Sequence, residues 1–134
     1  MNYDEFIGQV QHRARLSSRA HAERATRAVL ETLALRLAGG EPKNLASQLP
    51  PEIGRYLLEP DAGAGKRFGP REFYDLVAMR EGIDMPDAAH HVRAVASVLR
   101  EAVSPGEWQN MLAQLPPDLD QLMESGSEGQ GPTP

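Results

Sequence analysis

Glu41 and Glu107 stand sixty-six positions apart in this 134-residue chain, each directly after a glycine and each followed by a helical pattern. Paired carboxylates are the residue types of general acid–base chemistry, one protonated and one ionised, provided a cleft holds their pKa values apart. Glu5 and Glu72 form a second such pair at an offset of sixty-seven. All four fall near N3 of an expected helix, where free N–H groups and the macrodipole favour a carboxylate. Capping accounts for them, so no catalytic residue is assigned.

The remaining chemistry is sparse. His12, His21, His90 and His91 are the four histidines. None shares a zinc-type spacing such as H-E-x-x-H with another ligand, and His90 and His91, adjacent on a helix, point about 100° apart. They read as solvated or half-buried helix residues, so neither a metal nor a cofactor is expected. Gly63-Ala64-Gly65-Lys66 imitates a phosphate loop, but Pro60 replaces the first glycine, Arg67 replaces the hydroxyl residue, and no strand precedes it. With no cysteine in the chain, disulfides, thiolate metal sites and cysteine nucleophiles are excluded together.

Surface recognition offers more candidates. Arg13, Arg15, Arg19, Arg24 and Arg27 are the one basic concentration, suited to phosphates or to an acidic partner. Arg13 and Arg27 recur as Arg80 and Arg93. A charge kept in both copies points to a shared carboxylate, with Glu5 for Arg27 and Glu72 for Arg93 as the candidates within each half, or else to an anion site. Trp108, followed one turn on by Met111 and Leu112, forms an apolar cluster that suits a partner helix if exposed and the local core if not. The interaction candidates are therefore Trp108, Met111, Arg13, Arg19, Arg27 and Arg93.

These residues sit on a duplicated framework. Gln48-Leu49-Pro50-Pro51 returns as Gln114-Leu115-Pro116-Pro117, and Ala22, Arg27, Val29, Leu33, Gly40 and Asn44 match Ala88, Arg93, Val95, Leu99, Gly106 and Asn110. A repeat of this length is a copied supersecondary unit. Each half reads as a short first helix carrying Phe6 and Val10, or Phe73 and Val77. A long second helix follows, capped by Ser17 or Ser18 in one half and beginning near Asp84-Met85-Pro86 in the other. Gly39-Gly40 is expected to end the first long helix. A short helix, the proline turn and a last short helix complete each half, with Ser104, Pro105 and Glu107 as a start signal. Leu49 and Leu115, each before a proline, are pushed out of helical geometry. Ile53, Tyr56, Leu57, Leu119, Leu122 and Met123 are the buried candidates there.

The organisation expected is thus all-α: module 1 over residues 2–58, a flexible linker over 59–67, module 2 over 68–123, and a disordered tail over 124–134. The two modules pack pseudo-symmetrically into one domain. Few aromatics leave the core to Leu, Val and Ala, which suits helix packing. No apolar run approaches a membrane span or a signal peptide, so a soluble cytoplasmic protein is expected. Charge divides unevenly, at about +2 for residues 1–58 and about −7 for 68–134; the asymmetry suits head-to-tail contacts or an external charged partner, and drift of surface charge between the halves accounts for it equally simply.

Tyr3-Asp4-Glu5-Phe6, Arg27-Ala28-Val29-Leu30, Gly40-Glu41, the Gln-Leu-Pro-Pro turn and their second-half partners resemble the bacterial family catalogued as domain of unknown function 2267. The resemblance covers residues 2–123. It implies an all-helical tandem fold in a bacterial cytoplasm and transfers no catalytic residue. The function read from the chain is a non-enzymatic interaction module, possible self-association included. A ligand site or active site between the modules and a nucleic-acid surface on the first module are the alternatives.

Overall fold

Asn2 starts the structure. Its side chain accepts the Glu5 N–H at 2.8 Å while Glu5 Oε1 accepts the Asn2 N–H at 3.0 Å, the closed capping box that the spacing predicts. It opens α1 (Tyr3–Arg13), which buries Phe6, Ile7 and Val10. The computed structural model describes residues 1–128, with side chains described through residue 124. Ser18 caps α2 (Arg19–Arg36) by accepting the His21 N–H at 3.1 Å. After it come α3 (Glu41–Ala46), α4 (Pro51–Gly54) and a 3-10 turn over Arg55–Leu57. The second half supplies α5 (Pro70–Glu81), α6 (Met85–Ala102), α7 (Pro105–Leu112) and α8 (Pro117–Glu128). All the described helices are α or 3-10, and the fold is all-α.

The chain between α1 and α2 turns through Arg15 at φ 56°, with Leu16 N–H donating to Gln11 O. Gly82, at φ 76°, makes the corresponding turn after α5, with Ile83 N–H donating to Ala78 O. Both turns use the left-handed position of a helix stop, where glycine is favoured because it has no Cβ. Only the second has glycine there.

α2 ends at Arg36, before the glycine pair expected to stop it. Leu37 becomes extended at ψ 151° because residues 37–39 pair with residues 63–65. Gly39 N–H donates to Gly63 O at 2.9 Å and Gly65 N–H donates to Leu37 O at 3.0 Å, around an antiparallel bridge between Ala38 and Ala64. Gly63 N–H and Lys66 N–H then reach Ala34 O and Leu35 O at 2.9 and 3.0 Å. These are carbonyls the last helical turn leaves open. The stretch expected to be a flexible linker is therefore a hydrogen-bonded strap that caps α2. Its composition is loop-like, but the N–H groups of residues 62–66 are all hydrogen-bonded.

Each short first helix lies against both long ones. α1 packs on α2 and α6, α5 packs on α6 and α2, and α2 also touches α6. Two polar ties cross between the halves in reciprocal fashion. Gln48 Oε1 accepts the Ser104 N–H at 2.7 Å, and Gln114 Oε1 accepts the Ala38 N–H at 3.0 Å. Both the acceptors and the donors are separated by the offset of the sequence repeat. The glutamine of Gln-Leu-Pro-Pro thus has a task in each half: it serves a backbone donor of the other half.

The core is continuous. Phe6, Ile7, Leu30, Leu33, Leu45, Leu49, Phe73, Val92, Leu99 and Leu115 are buried, and the expected Ile53, Tyr56, Leu57, Leu119, Leu122 and Met123 join them. Trp108 is 1% exposed and Met111 fully buried, so this pair belongs to the core and not to a partner surface. The indole N–H donates to Glu124 Oε1 at 3.2 Å, and the Arg100 guanidinium lies 5.7 Å from the ring centroid. Glu124 is thereby fixed, and α8 continues to Glu128 through part of the stretch expected to be a tail. Residues 129–134 of that expectation lie outside the described residues.

Candidate functional site

Three groups of side chains carry the available chemistry, and each is assembled by helix packing.

The arginines expected to form one basic patch are dispersed. Arg13 turns inward, its guanidinium bonding Ser97 Oγ at 3.0 Å and Glu101 at 2.7 Å on α6. That bond holds the Glu101 carboxyl below the usual carboxylate range. Arg19 pairs with Asp4 and stacks 5.3 Å from the Tyr3 ring centroid. Burial, followed by the bond to Glu23, pushes the Tyr3 phenol up to about 12. Arg27 does not meet Glu5, which is occupied in the α1 cap. It bonds Glu31 at 3.0 Å, one turn along α2, and lies 4.0 Å from Glu59. No ion pair joins Arg93 to Glu72 among the described residues; Arg93 is half-buried and Glu72 exposed. Short helical spacing wins over the longer reach to another helix because it costs fewer rotamers.

Arg27 and Arg55 flank Tyr56, their guanidinium carbons 5.9 and 5.3 Å from its ring centroid. With Glu59 they line an open groove of about 350 Å³. Leu58, next in the chain, is 56% exposed. Tyr56 itself is 7% exposed, so the groove presents chiefly two guanidinium groups and one carboxylate, with an exposed apolar side chain next in the chain.

The repeated acids meet. Glu41 begins α3, at N1 and not N3, while Glu107 sits at N3 of α7 behind the Ser104 cap. α3 packs on α7, and the two buried carboxyls hydrogen-bond to each other. Two carboxylates offer only acceptors, so this bond requires a proton on one of them. Burial first, then the bond and charge of Glu107, pushes Glu41 up to about 7, against an opposing hydrogen bond from Asn44. The pair lies between the helices and does not face the groove.

The third group was not legible from spacing. His91 Nδ1 lies 2.6 Å and His21 Nε2 3.4 Å from one oxygen, Glu81 Oε1. The two imidazoles meet edge to face at 5.5 Å between centroids. His21 comes from the first turn of α2, Glu81 is the last residue of α5, and His91 lies in the second turn of α6. The Glu81 side chain has no exposure, His91 has 6% and His21 26%. His12 and His90 are exposed; His90 Nε2 lies 3.2 Å from Ala14 O, and its ring centroid is 6.0 Å from that of His91. The histidines thus divide into two solvated residues, as expected, and two gathered around a buried acid. The only sequence signal for this was negative: Glu81, His91 and His21 fall opposite Ala14, Ala25 and Asp87 in the repeat, so the halves disagree at all three places.

Among the described residues, no helix is long and apolar enough to cross a membrane. No curated protein matches the chain. The model of one family, described as an uncharacterized conserved protein, DUF2267, matches residues 3–122. That match spans α1 through the core leucines of α8, the same elements that build the fold described above; the chain belongs to the DUF2267 family.

Proposed function

We propose that this protein is a non-enzymatic interaction module of a bacterial cytoplasm that associates head to tail with a second copy of itself. The observation carrying this reading is the Arg27–Tyr56–Arg55 groove beside exposed Leu58. Its complement lies on the same chain. Glu72, Asp75 and Met79 follow one another at three- and four-residue steps along α5, all exposed, with Met79 at 71%. A basic surface with one projecting leucine thus faces outward from the first half, and an acidic surface with one projecting methionine from the second. The burial of the repeated acids between α3 and α7 supports a structural role for them and leaves recognition to the surface.

A contact between two different surfaces is heterologous and propagates into rings or open chains. It depends on exposed charges, so it weakens with salt as screening shortens to about 8 Å near physiological ionic strength. Sedimentation velocity at low and high salt tests it. Association at low salt that disappears at high salt is expected, and R27E/R55E abolishes it. Mixing R27Q/R55Q with E72Q/D75N, which leaves one working surface on each protein, restores a discrete heterodimer. A strict monomer at every salt and protein concentration overturns the proposal.

A further inference from the structure

The geometry points to His21, Glu81 and His91 as a binding site for one divalent transition-metal ion, bridging the two halves of the molecule. Two imidazole nitrogens and one carboxylate oxygen, all within 4.8 Å of one another, are the donor set that zinc and its neighbours take. Ligand atoms about 2.0–2.2 Å from a common ion stand roughly 3–3.5 Å apart. The separation of 3.4 Å between His21 Nε2 and Glu81 Oε1 already meets this. The 2.6 Å contact between His91 Nδ1 and Glu81 Oε1 must lengthen by less than an ångström.

A hydrogen-bonded network without metal accounts for Glu81 Oε1 but not for Oε2, which is buried and has no partner. An unpaired buried carboxylate oxygen is costly, and a divalent ion beside it relieves that cost. His21 supplies the solvent-facing side, so water completes the shell there. Among the described residues the site also occurs once. Its repeat-related positions hold Ala14, Ala25 and Asp87, a set without an imidazole. A requirement common to both halves of the fold would place similar residues in both; this set serves something only one location does. Because His21 belongs to the first half and Glu81 and His91 to the second, the ion also ties α2 to α5 and α6.

The test uses the full chain stripped with a chelator and titrated with Zn²⁺ alone by calorimetry, and with Co²⁺ alone by its ligand-field absorption. One saturable site per chain is expected, with a rise in Tm on metal addition. Half-exposed His21 can be replaced without opening the core, so H21Q is the decisive variant, checked for native circular dichroism. It should bind at least about ten-fold more weakly, whereas H90Q and H12Q bind as the parent does. E81Q, if folded, should lose both the binding and the Tm rise. Absence of saturable one-to-one binding, or H21Q binding as tightly as the parent, overturns the site.

Discussion

Glu41 and Glu107 form a buried, proton-sharing acid pair across the contact between α3 and α7. The two stand sixty-six positions apart in sequence, and the packing of α3 on α7 places these like charges face to face. Two ionised carboxylates at such a place repel and are poorly solvated, and one remains protonated for that reason. Only the protonated form joins the helices by a hydrogen bond, so the contact between the halves is linked to pH.

The sign follows from proton counting. The folded-state pKa, about 7, lies above the ordinary 4.5, so between these values the folded chain holds more protons than the unfolded one. Stability is therefore highest below about pH 4.5 as far as this pair is concerned, and falls as pH rises towards 7. With about 1.4 kcal/mol per pKa unit and some allowance for relaxation, the loss is on the order of 2 kcal/mol. Urea denaturation at pH 5, 6, 7 and 8 measures it. E107Q, which keeps a hydrogen-bonding partner and removes one charge, should flatten the profile and be the more stable protein at pH 8. An identical slope in both proteins would assign the pH dependence to other groups.

The elements readable from the sequence share a short range. The Asn2–Glu5 box, the Ser18 and Ser104 caps, the proline starts and the apolar stripes depend on neighbours three or four positions away. Spacing expresses those relations directly. What crosses between helices does not show in spacing. Arg27 went to Glu31 and not to Glu5, and Trp108 went inward to be covered by α8. His21 and Glu81 are separated by sixty positions and meet only because α5 lies against α2. The strap over residues 59–67 is hidden from spacing for a related reason. Its glycines resemble a free linker, yet Gly63 at φ 84° is required by a close approach to Gly39.

Glycine substitutions test this strap. A Cβ built on Gly63 falls 2.4 Å from Gly39 O, a backbone atom that cannot step aside, and the positive φ adds strain. Gly63→Ala should cost at least about 2 kcal/mol. Gly8, inside α1 with open space around its missing Cβ, is the contrasting case. Gly8→Ala should stabilise by about 0.5–1 kcal/mol through helix propensity. Thermal unfolding of the two variants should move in opposite directions.

Arg15 and Gly82 provide an internal exchange experiment. They occupy corresponding helix stops at φ 56° and 76°, one with a side chain and one without. A left-handed non-glycine residue costs about 1 kcal/mol. Arg15→Gly should therefore raise stability by up to about 1 kcal/mol, and Gly82→Ala should lower it by a similar amount. Arg15 is exposed and makes no ion pair among the described residues, so little else changes. A destabilised Arg15→Gly protein would show that the arginine side chain has a contact worth more than the strain.

The strongest statement the packing makes concerns division of the chain. α2 is covered by α1 from its own half and by α5 from the other, while α6 is covered by α5 and by α1. A fragment of residues 1–58 keeps α1 on α2 but exposes the face that α5 occupies, and loses the strap that caps α2. Isolated helices of this length are marginal in water without a buried face. The fragment should show little helical circular dichroism and no cooperative unfolding. A fragment of residues 1–67 restores the strap, and it too should fail, because the missing term is apolar burial worth about 1.5–3 kcal/mol for each large side chain. Mixing residues 1–67 with residues 68–134 should recover helicity and a cooperative transition, since α5 then returns to α2 and α1 to α6. Independent, cooperative folding of either fragment alone would mean that the contacts between halves join two finished domains and do not complete one.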